Sequence, residues 1–377
     1  MIVRLISIYL LTMYLSHLSL DNFRNYRKSS LEFTPQGALF YGPNGSGKTN
    51  LLEALFFLCT ARSQRQASRD EMICFSSDYG YLEGAFARQD GSLCRTASIG
   101  FTRDKKITMK VDGVTLPSFS QWLGCATAIP FGPNDINLIQ GLPQQRRTFI
   151  DLLLCQTDPA YLHNLIVYKK NCAQRNVLLP ASADETAMDI YEQNMAASGA
   201  VIFLKRQELV SFMRPHFARF YREISGNAET ASIDYKPSIR CELSTQNEWG
   251  NVFYRALKNT QKKDIGNGFS SIGPHRDDLV VSVNDRPAKP FASQGQCTTL
   301  TLSLRMCSIL FCEVSKKETM LFLFDDALTY LDGERTSRVV PLVQGKGQIF
   351  IATSSEREMA VRDVPRFVVS RGQACRA

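Results

Sequence analysis

The 377-residue chain is long enough for two or three domains of about 150 residues each, with a large core. Its composition is 44% hydrophobic, 21% charged and 10% aromatic, with 23 Gly and 15 Pro. This excludes a mainly disordered chain, a collagen-like repeat and a polytopic membrane protein. The formal net charge is +8, but the excess is spread: residues 1–133 carry 14 basic and 10 acidic side chains, 134–270 carry 16 and 14, and 271–377 carry 14 and 12. Such a distribution permits binding to a polyanion without demanding it. Eleven scattered cysteines, with no CxxC pair and only four histidines beside them, argue against a disulfide scaffold or structural zinc site and for a reducing cytosol.

The apolar run Leu5–Leu15 follows Arg4 as the core of a secretory signal would. It is too short to span a bilayer, and no small-x-small cleavage site follows. We read residues 13–20 as the first strand and residues 1–12 as an N-terminal extension, with Met1 and Met13 both standing as starts.

The next element carries chemistry. Gly42-Pro43-Asn44-Gly45-Ser46-Gly47-Lys48-Thr49 fits GxxxxGK[ST]. Ala38–Tyr41 makes an apolar strand before it, and Asn50–Cys59 an apolar helix after it. Strand, glycine loop and helix are what a phosphate site requires. Glycines let backbone N–H groups converge on phosphate oxygens, and the helix N-terminus adds partial positive charge. Lys48 is predicted to reach the β and γ phosphates and Thr49 to hold Mg²⁺.

Such a loop needs a distant carboxylate. Met320–Phe324 is a continuous apolar run, as a strand buried on both faces should be, and it leads into Asp325-Asp326. Asp325 is predicted to serve the metal and Asp326 to orient or deprotonate the attacking water. Asp325 lies 277 positions beyond Lys48, so something large is inserted. Ser293-Gln294-Gly295-Gln296 opens an apolar helix before Asp325 and reads as a second anion-binding helix end. By itself this segment is equally an ordinary N-cap. After the acids comes Leu328-Thr329-Tyr330-Leu331-Asp332, whose aspartate is placed to face a second subunit.

This order resembles an ABC-type ATPase head of SMC-like DNA-repair proteins, and within that group the RecF family of bacterial recombination-repair proteins. The resemblance is carried by Leu18–Tyr26, the glycine loop through Ala54, Arg62-Ser63, Phe131–Pro133 with Asp135, and Arg146-Arg147 leading to Asp151. It continues through Gln174–Leu179, Gly273–Leu279, Ser293–Gln296, Asp325-Asp326 and Leu331-Asp332. It implies an α/β fold: an ABC-type P-loop ATPase head, a mixed sheet with helices, plus an inserted mainly helical lobe. Two heads would sandwich two ATP molecules with Mg²⁺, Ser293, Gly295 and Gln296 of one closing on the nucleotide held by Lys48 of the other. Hydrolysis at Asp326 would release this ATP-dependent homodimer. The family resemblance further implies a weak DNA-stimulated ATPase on double-stranded and gapped DNA, cytoplasmic and nucleoid-associated. It would work with RecO and RecR to load RecA onto single strands coated by SSB, without a membrane.

Two departures stand out. Family signatures continue with a Gln-Arg pair where this chain has Cys297-Thr298, which puts hydrolysis or dimer affinity in question. The strand Ile349–Thr353 ends in Ser354-Ser355, where ABC transporters place a switch histidine. An ATP-gated DNA clamp with negligible hydrolysis and a transporter ATPase subunit are the competing readings, the second disfavoured by that absence. An ordinary P-loop kinase is disfavoured by Ser293–Gln296 and the long insert.

The expected organisation is an ATPase lobe from residues 13–133 and 271–377, with a helical lobe at 134–270. Hairpins are predicted at Thr96–Leu116 and Leu279–Lys289, and helices over Arg146–Cys155, Tyr161–Leu179 and Glu192–Ile224. Residues Pro180–Glu185 read as a loop. Arg103, Lys105, Lys106, Lys110, Lys205 and Arg206, with Arg214, Arg219 and Arg222, are the candidate DNA contacts. Arg62 and Arg65 are candidates for the nucleotide. Gly273–Leu279 is expected to form a tight turn, with His275 and Arg276 pairing to Asp277 or Asp278.

Overall fold

A computed structural model of the chain describes residues 13–65, 67–123, 126–181, 185–226, 229–239, 245–315, 319–326, 338, 341–354 and 364–377. The extension at residues 1–12, Ser355 and the Leu328–Asp332 segment lie outside the described residues. Contacts divide the chain into two compact units, one of residues 1–135 with 308–377 and one of residues 136–307.

In chain order the first unit begins with β1 (Tyr14–Phe23), β2 (Tyr26–Glu32), β3 (Gly37–Tyr41) and α1 (Lys48–Thr60). It continues with β4 (Tyr79–Ala87), β5 (Leu93–Thr102), β6 (Ile107–Val111), β7 (Val114–Thr115), α2 (Phe119–Trp122) and β8 (Thr127–Phe131). The second unit holds α3 (Asn137–Gln140), α4 (Pro143–Thr157), α5 (Pro159–Leu178), α6 (Glu185–Ser225), β9 (Ala231–Lys236) and α7 (Gln246–Asn267). Then follow β10 (Asp278–Val283), β11 (Arg286–Pro287), α8 (Ala288–Phe291) and α9 (Gln294–Val314), in which the division falls. The chain returns to the first unit with β12 (Met320–Asp325), β13 (Gln348–Thr353), β14 (Arg366–Ser370) and β15 (Gln373–Arg376).

Two six-stranded sheets build the first unit. One is antiparallel, ordered β2-β1-β4-β5-β6-β7; the other is ordered β15-β14-β3-β13-β12-β8, parallel except for the β14–β15 hairpin. Helix α1 packs on strands of both sheets, which explains why nearly all of it is buried rather than one stripe. Phe57 meets Phe101 of the antiparallel sheet edge to face at 5.1 Å, and a side chain on Gly84 would fall 2.5 Å from a Leu58 methyl. The side chain of Gln348, fully buried, accepts from Leu15 N and donates to Leu15 O and Thr34 O. It thereby satisfies backbone groups where the β1–β4 register shifts between Leu15 and His17.

The second unit is mainly helical, as the sequence predicts, and adds a three-stranded sheet ordered β11-β10-β9. Asp158 caps α5 by accepting from Ala160 N and Tyr161 N, with Pro159 at the first helical position. Helix α9 is long and apolar enough to cross a bilayer, with a mean hydropathy of 1.4 over 18 residues, but 72% of that window is buried inside the protein.

The boundary expected after residue 270 differs from the compact division, which keeps residues 271–307 with the helices. The reason is pairing: β10 is hydrogen bonded along its length to β9. The acids that open it are also held by helical arginines. Arg146 makes a two-pronged ion pair with Asp278, at 2.7 and 2.9 Å. Arg206, only 1% exposed, bridges Asp151 at 2.7 Å and Asp277 at 3.0 Å and donates to Tyr161 Oη and Pro274 O. Asp277 also accepts from Tyr235 Oη and Ser238 N. Asp277 and Asp278 therefore pair with residues far away in sequence, not with His275 and Arg276. His275 bonds Tyr168 Oη and Ser270 O instead, and Arg276 lies over the Phe269 ring. A second buried cation, Arg175, holds Glu192, Asp264 and Ser270.

Arg206 is therefore a core residue, which corrects its assignment as a DNA contact. Arg206→Ala would leave two buried carboxylates uncompensated, at an expected cost of about 3–5 kcal/mol in urea denaturation. The defect should appear as lost stability, not as a selective loss of DNA affinity.

Burial lowers the His275 imidazole from its ordinary 6.5 to about 4. Above pH 6.5 both the folded and unfolded chains carry it neutral. Between pH 6.5 and 4 only the unfolded chain takes up the proton, so stability falls on acidification, by up to about 3 kcal/mol from this group. His275→Gln should flatten that part of the stability–pH curve, measured by denaturant unfolding at each pH.

Candidate nucleotide site

The glycine loop lies where the sequence places it, between β3 and α1. Two of its glycines are sterically required. Gly47 has φ +115°, and a side chain there would meet Asn25 Nδ2 at 2.5 Å; at Gly42 it would meet Val369 O at 2.2 Å. The β1–β2 hairpin braces the loop, with Asn25 Nδ2 donating to Ser46 O at 3.1 Å and the buried Tyr26 Oη to Gly47 O at 3.0 Å. The Gly372 N–H reaches Ser46 O from the β14–β15 hairpin. The Lys48 ammonium donates to Gly42 O at 2.8 Å and Pro43 O at 3.0 Å, which fixes its charge at the centre of the loop. Burial lowers its pKa, opposed by Asp326 and Asp325.

Strand β12 delivers the carboxylates. Thr49 Oγ1 donates to Asp325 Oδ1 at 2.8 Å, joining the first turn of α1 to the end of β12. Burial raises the Asp325 pKa, and the Thr49 bond partly offsets this. Asp326 has a left-handed backbone, φ +47°, with its N–H on Ala352 O at 2.9 Å. Such a backbone costs about 1–2 kcal/mol for a residue with a β-carbon. Its Oδ1 is buried and accepts no hydrogen bond among the described residues. Asp326 thus combines, beside the phosphate loop, a left-handed backbone with a buried carboxylate oxygen left unpartnered among the described residues.

The donor set fits Mg²⁺. Thr49 and Asp325 supply two convergent hard oxygens, and a P-loop needs no more because phosphates and water complete the shell. Among the described residues no group of three or more His, Cys, Asp or Glu side chains is placed to hold a metal by itself.

Sequence reasoning gave no role to Asn25 or Tyr26, nor to Glu53. Glu53, 1% exposed, takes both oxygens of its carboxylate to Arg24 at 2.9 and 3.0 Å and also accepts from Ser63. Arg65 sits 3.7 Å from Glu53 and donates to Asn50 Oδ1 on the first turn of α1. Arg62 lies over the Phe119 ring at 5.5 Å.

The Ser293–Gln296 segment caps α9 in the second unit. Ser293 N donates to Gln296 Oε1 at 2.8 Å, and Ser293 Oγ accepts from Gln296 N at 3.3 Å. Cys297 is fully buried, with Gln140 Nε2 3.4 Å from its sulfur, and burial pushes its thiol pKa up. Of the two departing positions only Thr298 reaches the surface, where its hydroxyl bonds Gln294 O.

The remaining basic candidates are exposed or partly so, but most have acidic partners. Arg103 lies 3.9 Å from Asp78 and donates to Ser77 O, Lys106 pairs with Asp104 at 2.7 Å, and Lys205 lies between Asp158 and Glu208 at 3.3 Å each. Arg214 pairs with Asp234 and Arg219 with Glu223. Lys105, Lys110 and Arg222 are exposed.

The two-sheet unit, its phosphate loop and the Asp325-Asp326 strand end define an ATP-binding head of the ABC/SMC type. The sequence matches the family described as RecF/RecN/SMC N terminal domain over residues 14–375. It is 35% identical over 349 residues to the DNA replication and repair protein RecF of Bacillus cereus and to that of Bacillus thuringiensis, covering 91% of this chain and 92% of each relative. The solved recombination mediator RecF with ATP, from the RecFOR pathway, superposes with a TM-score of 0.89 at 28% identity over 98% of both chains. An Smc head domain from Pyrococcus furiosus shares the fold, with a TM-score of 0.56 at 16% identity over 97% of this chain and 96% of that one. The chain belongs to the RecF family.

Because the Asp325 pKa is raised, its ionised form opposes folding at pH values above that raised pKa; the penalty vanishes as the pH falls below the unfolded value. Asp325→Asn should therefore raise the melting temperature of the ATP-free protein at neutral pH. The same variant should lose the upward shift that Mg-ATP gives the parent. Differential scanning calorimetry with and without Mg-ATP checks both.

Proposed function

We propose that this protein is an ATP-switched DNA-binding factor of recombinational repair and replication-gap processing. Two copies close head to head around ATP on double-stranded or gapped DNA, and slow hydrolysis separates them. The observation that carries the reading is the pairing of Thr49 with Asp325 beside an Asp326 oxygen that accepts no hydrogen bond among the described residues.

Each residue has a defined task. The loop from Gly42 to Gly47 and Lys48 bind and orient the phosphates. Thr49 and Asp325 would hold Mg²⁺, which when bound neutralises phosphate charge. Asp326 orients the attacking water and takes its proton. Ser293, Gly295 and Gln296 of the second copy close the site. Phosphoryl transfer relies mostly on positioning and charge stabilisation, so a site split between two copies is active only when they meet.

The Bacillus relatives, named for DNA replication and repair, and the solved relatives of the RecFOR pathway support this function and a place beside RecO and RecR, upstream of RecA and SSB. They equally support a cytoplasmic, nucleoid-associated location. With Arg206 removed, DNA contact rests on Arg103, Lys105, Lys106, Lys110 and Lys205, and through phosphates it is salt-sensitive and sequence-independent.

Sedimentation velocity tests the switch. The unmodified protein should be a monomer alone and a dimer with Mg-ATP, and Ser293→Arg should stay monomeric. Asp326→Asn should keep the ATP-dependent dimer while turnover falls by about 100-fold or more, as expected for loss of a general base. An Asp326→Asn variant that turns over ATP and releases DNA like the parent overturns the assignment of Asp326. A parent with negligible turnover would leave an ATP-gated clamp.

A further inference from the structure

We propose that Glu229 is a positioning residue for the Ser293–Gln296 segment. It fixes the Gln296 carboxamide and through it the end of α9 that meets the second copy's ATP. Glu229 lies in no motif, just beyond α6. Its Oε1 accepts from Gln296 Nε2 at 2.6 Å, and its Oε2 accepts from Tyr221 Oη at 2.6 Å. Tyr221 is fully buried on α6, so the carboxylate is anchored from the core.

The need for this anchor follows from the chemistry of an amide. A glutamine carboxamide has an acceptor and a donor end of nearly equal size, and it can turn over. An ionised carboxylate only accepts, so Glu229 admits the –NH₂ end of Gln296 and turns the carbonyl the other way. That carbonyl is the group that accepts the Ser293 N–H at 2.8 Å. A turned amide would set donor against donor there. Gln296 N in turn donates to Ser293 Oγ at 3.3 Å. The exposed Ser293 hydroxyl thus accepts inward with one lone pair and keeps its proton for an outside acceptor, which is what a phosphate oxygen is. The relay Tyr221–Glu229–Gln296–Ser293 makes the segment a donor toward the nucleotide.

This inference rests on the head-to-head reading above and is read out in the same assay. Each dimer would contain two such contacts, so a threefold weakening per site becomes about tenfold in the dimer dissociation constant with Mg-ATP. Glu229→Ala should show that loss. Glu229→Gln, which still offers an amide oxygen to Gln296, should restore most of it. Tyr221→Phe, which keeps the packing and removes the hydroxyl, should lie between, at about threefold.

A merely structural role is separated by a double-mutant cycle. If Glu229 acts through Gln296, Glu229→Ala combined with Gln296→Ala should be no weaker than Gln296→Ala alone. Additive losses, a Glu229→Gln variant as defective as Glu229→Ala, or a Glu229→Ala variant that dimerises like the parent would each overturn the inference while leaving the sandwich intact. A parent chain that stays monomeric with Mg-ATP removes both. Melting temperatures of each variant identify any loss due to unfolding, and the Tyr221→Phe result then decides.

Discussion

The hydrogen bond from Thr49 to Asp325 joins residues 276 positions apart and ties the phosphate loop to the carboxylate strand. It depends on sheet order. Strands β3 and β12 are separated by β13 alone, and all three run parallel, so their carboxyl ends open side by side. Ligands of parallel sheets bind in this position because the helix N-termini and strand ends converge there. The neighbouring strand also fixes Asp326, since Ala352 O of β13 takes the Asp326 N–H and holds its left-handed turn. The same proximity puts a partly buried acid into the ATP-free head at a cost to stability.

Much of this was legible in the sequence because the signals are local. The glycine loop, the apolar strand before it and the run Met320–Phe324 each announce themselves within ten residues. The hairpins at Asp112-Gly113 and Asn284-Asp285 likewise follow from turn chemistry, with all four residues at positive φ. Long-range pairing was not legible. Arg146 and Arg206 meet Asp278 and Asp277 across 132 and 71 positions, so the acids looked like partners for their own neighbours. Strand β9 was hidden in a stretch read as helical, because six residues of alternation are a short signal.

For Arg206 a signal existed. Along α6 the buried stripe runs through Ile202, Phe203, Leu209, Val210 and Met213, and Arg206 falls on it, while Lys205 does not. Helical spacing therefore separates two adjacent cations that composition treats alike. The departure at Cys297-Thr298 is also a matter of helical face. Cys297 points into the core, and a sulfur there changes packing more than phosphate contact. Glu229 could not have been found from the signature, because it lies outside every motif and is joined to Gln296 only by the fold.

The central place of β3 has a consequence for synthesis. Its two hydrogen-bonding neighbours are β13, with Ile349 opposite Gly37, and β14, with Arg366 opposite Leu39. They are made about 310 and 330 residues after it, which at 5–20 residues per second means roughly 15–65 s on the ribosome. Throughout that interval an apolar strand and the phosphate loop attached to it have neither edge paired. The antiparallel sheet, whose strands lie close together in sequence, can form first and offer α1 one side of its packing. Nucleotide competence thus arrives late in translation, and until then the nascent chain depends on whatever keeps the edges of β3 from pairing with another copy.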